Sequence, residues 1–296
     1  MNIQENITNK IRHVIGLTIV SSFAIYSVPS AKAFIPYIYE PNSEELKRTG
    51  TSIGKTAIQI LQLGQHNEAM RLAELGLSLK PKDYRLWSIL GEAQRRSGLF
   101  KEAIISLEKA TTLNPQKADL WFAIGAIQLE RKNPTKALPL LNKGLKLDPK
   151  NQLGYFQLGN CRLMQNKFEL SLKAFKKALE IKPNFWEALN NQGIIEFEKG
   201  ETKKAIKTWR KVLTIERNSE SMLALSAALN LFAPENRESL SLAKEALKKN
   251  PNYVSSSHQS EQLWGDELIQ ATAQLLSLPS LVKDVERALA NSNMTN

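Results

Sequence analysis

Two consecutive stretches of equal length decide the fold. Residues 84–117 read YRLWSILGEAQRRSGLFKEAIISLEKATTLNPQK, and residues 118–151 read ADLWFAIGAIQLERKNPTKALPLLNKGLKLDPKN. Each stretch has Trp at its fourth position, Gly at its eighth, Ala at its twentieth and Pro near its end. Self-similarity at a fixed period of this length indicates supersecondary units that stack on one another.

The period continues on both sides of these stretches. Six blocks without insertion, which we call repeats one to six, are residues 50–83, 84–117, 118–151, 152–185, 186–219 and 220–253. The fourth position is usually large and apolar, the eighth and twentieth are always small, and Pro closes every repeat except the fifth, where Arg217 stands. Small side chains at fixed positions allow two helices to approach closely.

Each repeat is predicted to be a helical hairpin. Large apolar residues recur at helical spacing in two runs of about a dozen residues, separated by a turn. Gly64, Gly98 and Gly200 fall at position 15, where a residue in the left-handed conformation can end the first helix. Pro134 stands where the second helix of its repeat begins.

The Trp, Gly, Ala and Pro columns resemble the tetratricopeptide-repeat (TPR) pattern. The resemblance implies an all-α fold, a right-handed α-solenoid of six helix-turn-helix units over residues 50–253. Residues 34–49 are predicted to form an N-terminal extension with a leading helix that continues into repeat one. Residues 254–296 are predicted to form C-terminal capping helices and a tail, the first helix covering the apolar edge of the last repeat.

Residues 1–33 have the layout of a secretory signal peptide. Lys10 and Arg12 precede the apolar run VIGLTIVSSFAIYSV, and the small residues Ala31 and Ala33 suit a signal peptidase. The alternative is an uncleaved membrane anchor, because FIPYIY after Ala33 continues the apolar character. Both readings place the body outside the cytoplasm, soluble or membrane-anchored, in a periplasm or a thylakoid lumen.

The TPR resemblance also implies a concave groove that binds a protein or peptide client. In that family, positions 2, 5, 9, 12 and 13 of the first helices line the groove. The candidate groove residues are Arg85, Glu92, Arg95, Arg96, Phe122, Leu129, Phe156, Asn160, Leu163, Met164, Asn190, Ile194 and Phe197. An exposed apolar stripe of Phe122, Phe156, Leu163, Met164 and Phe197 would mark an interaction surface. The alternative is that these side chains pack against each other or against the C-terminal helix.

Chaperone-type TPR proteins grip a client's terminal carboxylate with cations at fixed groove positions. Here Phe156, Ser221 and Leu225 occupy those positions, so this carboxylate clamp is not predicted.

The formal charge of +11 comes mainly from the second helices of the repeats. The cations are Lys173, Lys176, Lys177, Lys203, Lys204, Lys207, Arg210 and Lys211. A charge run is usually a solvated face, and acidic groove residues such as Glu130 disfavour nucleic acid as a partner. An alternative function is a membrane-attached regulatory subunit that docks an enzyme through this basic convex face.

The sequence offers little for catalysis. Cys161 is the only cysteine, His66 and His258 lack partners at motif spacing, and phosphate-binding, metal-ligand and nucleophile motifs are missing. No catalytic residue, cofactor or metal site is therefore predicted. The sequence indicates a non-enzymatic scaffold, and fold-level analogy suggests assembly of a membrane or photosynthetic complex.

Overall fold

The computed structural model describes residues 43–292, and the predicted signal peptide with its cleavage site after Ala33 lies outside these residues. Over the described residues the chain is all-helical, as predicted. Its α-helices are α1 (Ser43–Gln62), α2 (His66–Leu79), α3 (Tyr84–Arg96), α4 (Phe100–Leu113), α5 (Ala118–Glu130), α6 (Pro134–Leu147), α7 (Gln152–Leu163), α8 (Phe168–Ile181), α9 (Trp186–Glu198), α10 (Thr202–Ile215), α11 (Ser219–Phe232), α12 (Arg237–Lys249), α13 (Ser256–Glu261), α14 (Asp266–Leu276) and α15 (Val282–Ser292). Short 3-10 helices at Pro251–Val254 and Pro279–Leu281 separate the last elements.

The helices from α1 to α12 follow the sequence period, with one helix pair in each repeat. Repeat one contributes α1 and α2, and repeat six contributes α11 and α12. The leading helix and the first helix of repeat one are a single element, because α1 runs from Ser43 without a break. Of the predicted N-terminal extension, residues 43–49 form the start of α1, and residues 34–42 lie outside the described residues.

The chain divides after Leu113 into two compact bodies. In the described residues, α1–α4 belong to the first body and α5–α15 to the second. The first has a core of small and branched residues such as Ala69, Ala73 and Leu86. The largest buried cluster of the second surrounds Trp209 and includes residues from α9 to α14.

The turn inside each helix pair uses a left-handed residue. The glycines predicted there have positive φ angles of 77°, 76° and 75° at Gly64, Gly98 and Gly200, which confirms the prediction. Lys132 and Asn166 take the same conformation at position 15, with φ of 56° and 55°. Since non-Gly residues adopt this region only at a cost, the shared turn geometry is set by the packing of the hairpin.

The glycine at position 8 makes room for a large side chain at position 24 of the same repeat. The pairs are Gly91 with Leu107, Gly125 with Leu141, Gly159 with Phe175 and Gly193 with Trp209. A Cβ atom at Gly125 would lie 2.6 Å from Leu141 Cδ2, and one at Gly193 would lie 2.7 Å from Trp209 Nε1. Close helix packing in these repeats therefore depends on the missing side chain.

Repeats one and six solve the same packing problem with two alanines. Ala57 and Ala227 replace the glycine at position 8, and Ala73 and Ala243 replace the large residue at position 24. All four are fully buried. In these two repeats the volume added by Ala at position 8 is thus offset by the volume removed by Ala at position 24.

The Trp and Pro columns meet through hydrogen bonds. Trp87 Nε1 donates to the carbonyl oxygen of Pro81 at 2.9 Å, and Trp121 Nε1 donates to that of Pro115 at 2.9 Å. Each bond joins the fourth position of one repeat to the closing proline of the repeat before it. In these two cases the Trp and Pro columns therefore contact each other at the boundary between consecutive repeats.

The C-terminal segment folds back onto the second body. Helix α14 packs on α11 of repeat six, as predicted, and also on α9 of repeat five. Helix α15 packs on α12 and on the 3-10 helix Pro251–Val254. The segment thus covers first helices of two repeats as well as the end of the array.

Candidate functional site

The candidate groove residues lie on first helices of both bodies. Those of repeat two belong to α3 in the first body. Those of repeats three to five belong to α5, α7 and α9 in the second body, where α11 continues the series. We call the surface formed by these four helices the first-helix face.

The charged candidate residues of repeat two form ion pairs with one another and with Asp83. Arg95 Nε and Arg96 Nε each donate to the Glu92 carboxylate, at 2.8 and 2.7 Å. Burial alone would raise the pKa of Glu92, but these hydrogen bonds outweigh burial and the pKa lies below its usual range. Arg85 forms an ion pair of 2.7 Å with Asp83 and holds the pKa of Asp83 at about 2.

The prediction of an exposed apolar stripe is wrong for three of its five members. Phe122, Leu163 and Phe197 are buried, with exposed fractions of 6%, 6% and 5%. The Phe122 ring fills the space left by the missing side chains of Gly144 and Gly154.

The other buried members have equally clear packing partners. The Phe197 ring lies 5.9 Å from that of Trp209, and Leu163 belongs to the cluster around Phe175. Ile194, a further candidate, is fully buried in the cluster around Trp209. These side chains form the core between helices, as in the alternative reading of the sequence.

The remaining apolar candidates are accessible. Phe156 is half-buried, with its ring 5.1 Å from that of Phe185, while Leu129 and Met164 are partly exposed. Leu153, at position 2 of repeat four, is 54% exposed. Together with Asn160, these residues form what we call the open face.

A chain of polar side chains runs along the first-helix face from the open face. Asn191 Nδ2 donates to Asn160 Oδ1 at 2.8 Å, and Asn190 Nδ2 donates to Glu220 Oε1 at 2.7 Å. Ser221 Oγ donates to Asn190 Oδ1 at 2.7 Å. Asn190 is buried, with 1% of its surface exposed, so its predicted role as a client-contacting residue is wrong.

Glu220 joins this chain to the C-terminal segment. Trp264 Nε1 donates to Glu220 Oε1 at 3.3 Å, and Tyr253 also hydrogen-bonds the carboxylate. Burial raises the pKa of Glu220 above its ordinary value, and hydrogen bonds from Trp264, Asn190 and Tyr253 oppose the rise only in part. The indole of Trp264 is buried at this position.

Glu198 anchors α14 by its N-terminus. Its carboxylate accepts hydrogen bonds from Leu268 N at 3.0 Å and Glu267 N at 3.4 Å, and so satisfies amide groups that have no partner within the helix. Gly265 makes this approach possible, because a Cβ atom there would overlap the Glu198 carboxylate. Burial raises the pKa of Glu198, although the two backbone hydrogen bonds lower it.

The sequence did not predict these anchors. Its amphipathic pattern near residues 261–276 predicted a capping helix, but Trp264 and Gly265 lie outside the repeats, and Tyr253, the last residue of repeat six, belongs to none of the conserved-type columns. Trp264 and Gly265, which stand just before α14, are the feature of the sequence that could have indicated an anchor for this helix.

The basic residues of the second helices are exposed, and several form ion pairs. Lys177 pairs with Glu180 at 2.7 Å, and Lys204 lies 3.1 Å from Glu201. Arg210 pairs with a carboxylate of the next second helix at 2.8 Å. Exposed Lys and Arg side chains, some of them in ion pairs, agree with the prediction of a solvated face.

The described residues offer little chemistry beyond these contacts. Cys161 is buried, its thiol lies 3.2 Å from the carbonyl oxygen of Pro134, and burial raises its pKa. Between residues 43 and 292, no cluster of His, Cys, Asp or Glu is arranged to bind a metal ion. Within the same range no helix has the length and apolar character required to cross a membrane.

The fold and the repeat columns define a helical-repeat protein. Residues 90–152 and 153–185 match two models of the tetratricopeptide repeat. With the helix pairs found there, these matches show that residues 90–185 consist of tetratricopeptide repeats. A comparison with curated proteins gave no match.

Solved structures share the fold at low sequence identity. PilF of Pseudomonas aeruginosa is 18% identical with a TM-score of 0.62, and the match covers 74% of this chain and 98% of that one. PilW, a type IV pilus biogenesis factor, is 18% identical with a TM-score of 0.62, over 72% and 97% of the two chains. MamA of Desulfovibrio magneticus RS-1 is 22% identical with a TM-score of 0.53, over 58% and 96%. At these identities the likeness shows the fold.

Proposed function

We propose that this chain is an exported, non-enzymatic TPR scaffold that binds a protein or peptide client on the open face. The supporting observation is the docking of α14 on the first helices α9 and α11. Leu268 and Leu275 of α14 are fully buried there, so this side of the array already accommodates an amphipathic helix. The client takes the neighbouring part of the same surface.

The open face is suited to this role because it is apolar and unoccupied in the described residues. Leu153 is 54% exposed, and Phe156, supported by Phe185, presents the rest of its ring beside it. Burial of such side chains stabilises a complex by about 25 cal/mol per Å² of apolar surface. Asn160 adds a polar group at the centre, so a bound segment can be both packed and oriented.

The proposed location rests on the N-terminal sequence. The basic residues, the apolar run and the Ala31–Ala33 pair support export to a periplasm or thylakoid lumen. There the scaffold would assist assembly of a membrane or photosynthetic complex. Amino-terminal sequencing of the purified protein tests export with cleavage, because a chain that begins at Met1 would contradict it.

The client site is tested with a double variant that leaves the core intact. Leu153→Gln with Met164→Gln removes apolar surface from the open face. Phe197 is not substituted, because it is buried in the core and its loss would destabilise the fold. Leu170→Gln with Ile181→Gln is the matched control, since these residues of α8 are 46% and 38% exposed. Crosslinking and affinity capture of partners should fail only for the first variant. Equal capture by both variants would refute the proposed client site.

A further inference from the structure

Three columns of the second helices hold cations in two consecutive repeats. Residues three and four apart lie on one side of a helix, so positions 22, 25 and 26 project together. They are Lys173, Lys176 and Lys177 in α8 of repeat four, and Lys207, Arg210 and Lys211 in α10 of repeat five. All six are exposed, as are Lys203 and Lys204 in the first turn of α10. We call these eight residues the cationic face.

The two helices of the cationic face are neighbours in the second body. Lys199, in the turn before α10, reaches Glu169 in the first turn of α8 at 2.6 Å. Leu179 of α8 packs against the cluster around Trp209 of α10. The two rows of cations therefore lie beside each other on one surface.

The two helices contain few carboxylates. Glu169 and Glu180 belong to α8, and the sequence of α10 has neither Asp nor Glu. Glu169 is the partner of Lys199. Glu180 pairs with Lys177 at 2.7 Å, and its charge also acts on Lys176. Both carboxylates are therefore already paired.

The carboxylates next to these helices are paired as well. Glu201 and the buried Glu196 lie 3.1 and 3.4 Å from Lys204. Glu238 of α12 lies 2.8 Å from Arg210. Four side chains of the cationic face form no ion pair or hydrogen bond with any of residues 43–292, namely Lys173, Lys203, Lys207 and Lys211.

The wider surroundings of the cationic face are basic. Helix α6 has three Lys and no carboxylate, and Asp148 after it accepts a hydrogen bond from the Asn151 side chain. Helix α12 has four cations, and its Glu245 pairs with Arg217. Glu216 is an exposed carboxylate beyond the end of α10, and α15, which packs on α12, has no net charge. The adjoining turns add three exposed cations, Lys150, Lys167 and Lys182.

Helix formation does not favour this arrangement of cations. Like charges three or four residues apart destabilise a helix, and Lys173 stands at these spacings from Lys176 and Lys177. Lys203 and Lys204 lie in the first turn of α10, where the helix dipole disfavours positive charge. The fold itself therefore does not account for the cluster, which indicates an anionic partner.

We propose that the cationic face binds the surface of a bilayer that contains anionic lipids. Seven of its eight cations are Lys. Lys carries a compact charge on a flexible stem, which suits a surface of mobile headgroups, whereas Arg and aromatic residues are enriched where proteins contact each other. Positive charge near an anionic bilayer is attracted without a fixed geometry, so a pocket is not required.

The other side chains of α8 and α10 favour lipid over nucleic acid. The rings of Phe175 and Trp209 are buried and Phe168 packs against the cluster around Phe175, so the rings of these two helices are not available for stacking on bases. Leu170 and Ile181, near the two ends of α8, are exposed and can enter the headgroup region of a bilayer.

This inference goes beyond the proposed function and does not depend on it. The open face is formed by the first helices α5 and α7, and the cationic face by the second helices α8 and α10. A lipid surface and a client would therefore occupy different parts of the second body and would not compete.

Sedimentation of the full chain with vesicles tests the proposal. One set of vesicles contains phosphatidylcholine alone, and the other contains phosphatidylcholine with phosphatidylglycerol. Binding should be stronger to the anionic vesicles, and the difference should shrink with added salt. The N-terminal segment is the same in every sample, so differences between vesicles of unlike charge and between variants do not arise from its apolar residues. Equal binding to both sets of vesicles would overturn the proposal.

A triple variant locates the effect on the cationic face. Lys173→Gln/Lys207→Gln/Lys211→Gln should weaken binding to anionic vesicles by about a hundredfold, because each Lys near an anionic surface contributes about fivefold. Its urea midpoint should not fall, since these side chains form no ion pair in the described chain. A lower midpoint would show that the lysines serve the fold, and this too would overturn the proposal.

The matched control removes the same net charge elsewhere. Lys47→Gln/Lys55→Gln/Lys283→Gln alters exposed lysines of α1 and α15. Its affinity for anionic vesicles should change by about twofold or less, because charges further from the lipid than the Debye length are screened. An equal loss in both triple variants would mean that net charge alone attracts the chain, and the assignment to this face would fail.

Polyglutamate and a DNA duplex, labelled and measured by fluorescence anisotropy, separate lipid from other anions. The full chain should bind both more weakly than it binds anionic vesicles at the same salt concentration. If either binds, the triple variant of α8 and α10 abolishes that binding, and anionic vesicles are not bound, the face belongs to an acidic macromolecule and the lipid assignment is overturned.

Discussion

Glu198, at the end of α9, accepts a hydrogen bond from the backbone nitrogen of Leu268 in the first turn of α14, 70 residues further along the chain. The same carboxylate contacts Glu267 N. A repeat residue thus supplies the capping carboxylate of a helix outside the repeats, because the N-cap residue itself, Gly265, has no side chain to do so. The bond fixes the C-terminal segment on the first-helix face and limits the accessible part of that face to repeats three and four with the start of α9.

Glu198→Ala should loosen α14. Removing the carboxylate leaves two amide groups of α14 without their acceptor, and the loss of an N-cap costs about 1 kcal/mol. Hydrogen exchange should become faster at residues 266–276, and the urea midpoint should fall. Glu286→Ala, which removes an exposed carboxylate from α15, should change neither measurement. Unchanged exchange at residues 266–276 in the first variant would contradict the anchoring role.

Glu220→Gln should make stability less dependent on pH. The pKa of Glu220 is raised in the folded state above the ordinary value of 4.5, so the folded state binds the proton more tightly than the unfolded state. This contribution therefore weakens the fold as pH rises through the folded pKa, and the penalty disappears below the unfolded pKa. Gln keeps an oxygen acceptor for Trp264 and Asn190 without the buried charge.

Urea denaturation across pH measures this effect. At pH 7 the Glu220→Gln protein should be at least as stable as the parent, and its advantage should decline as pH falls toward 4.5. A variant that is less stable than the parent at pH 7, with a deficit that shrinks as pH falls, would show instead that the charge itself holds Trp264 in place.

The repeat columns predicted the helix pairs because each column reflects a contact that recurs in every repeat. Position 15 recurs because the hairpin turn requires a left-handed residue, and Gly supplies it at Gly64, Gly98 and Gly200. Position 8 recurs because it faces position 24. Alignment of one repeat with the next therefore reveals local geometry without a structure.

The accessible part of the site was not predictable in the same way. Phe122 and Phe156 occupy the same column, yet Phe122 is buried because Gly144 and Gly154 leave space for its ring, while Phe156 stays partly exposed. A column position gives the direction of a side chain but not the volume that its neighbours leave free. The docking of α14 depends on single contacts, such as that of Trp264 with Glu220, which have no period.

Gly159→Ala and Phe175→Ala should be strongly coupled. A methyl group at position 159 would overlap the Phe175 ring, and such overpacking costs about 1–3 kcal/mol, while Phe175→Ala alone costs about 3–5 kcal/mol. The double variant should lose less than the sum, by about 1 kcal/mol or more, because two alanines at these positions are the pair used in repeats one and six.

A double-mutant cycle from urea unfolding checks this coupling. The control cycle combines Gly193→Ala with Leu141→Ala, whose repeats are separated by repeat four, and should be additive within about 0.5 kcal/mol. Additivity in the Gly159 and Phe175 cycle as well would mean that the two positions do not share one packing space.

Leu268→Ala should destabilise the second body far more than Leu289→Ala. Leu268 of α14 is fully buried in the cluster around Trp209, whereas Leu289 of α15 is 52% exposed. Truncation of a buried Leu costs about 2–5 kcal/mol, and substitution of an exposed one changes stability by about 0.5 kcal/mol or less. Urea midpoints and an apolar dye that binds exposed core surface distinguish the two. A similar small loss for both variants would mean that α14 contributes little to the core, and the first-helix face of repeats five and six would then be open to a client as well.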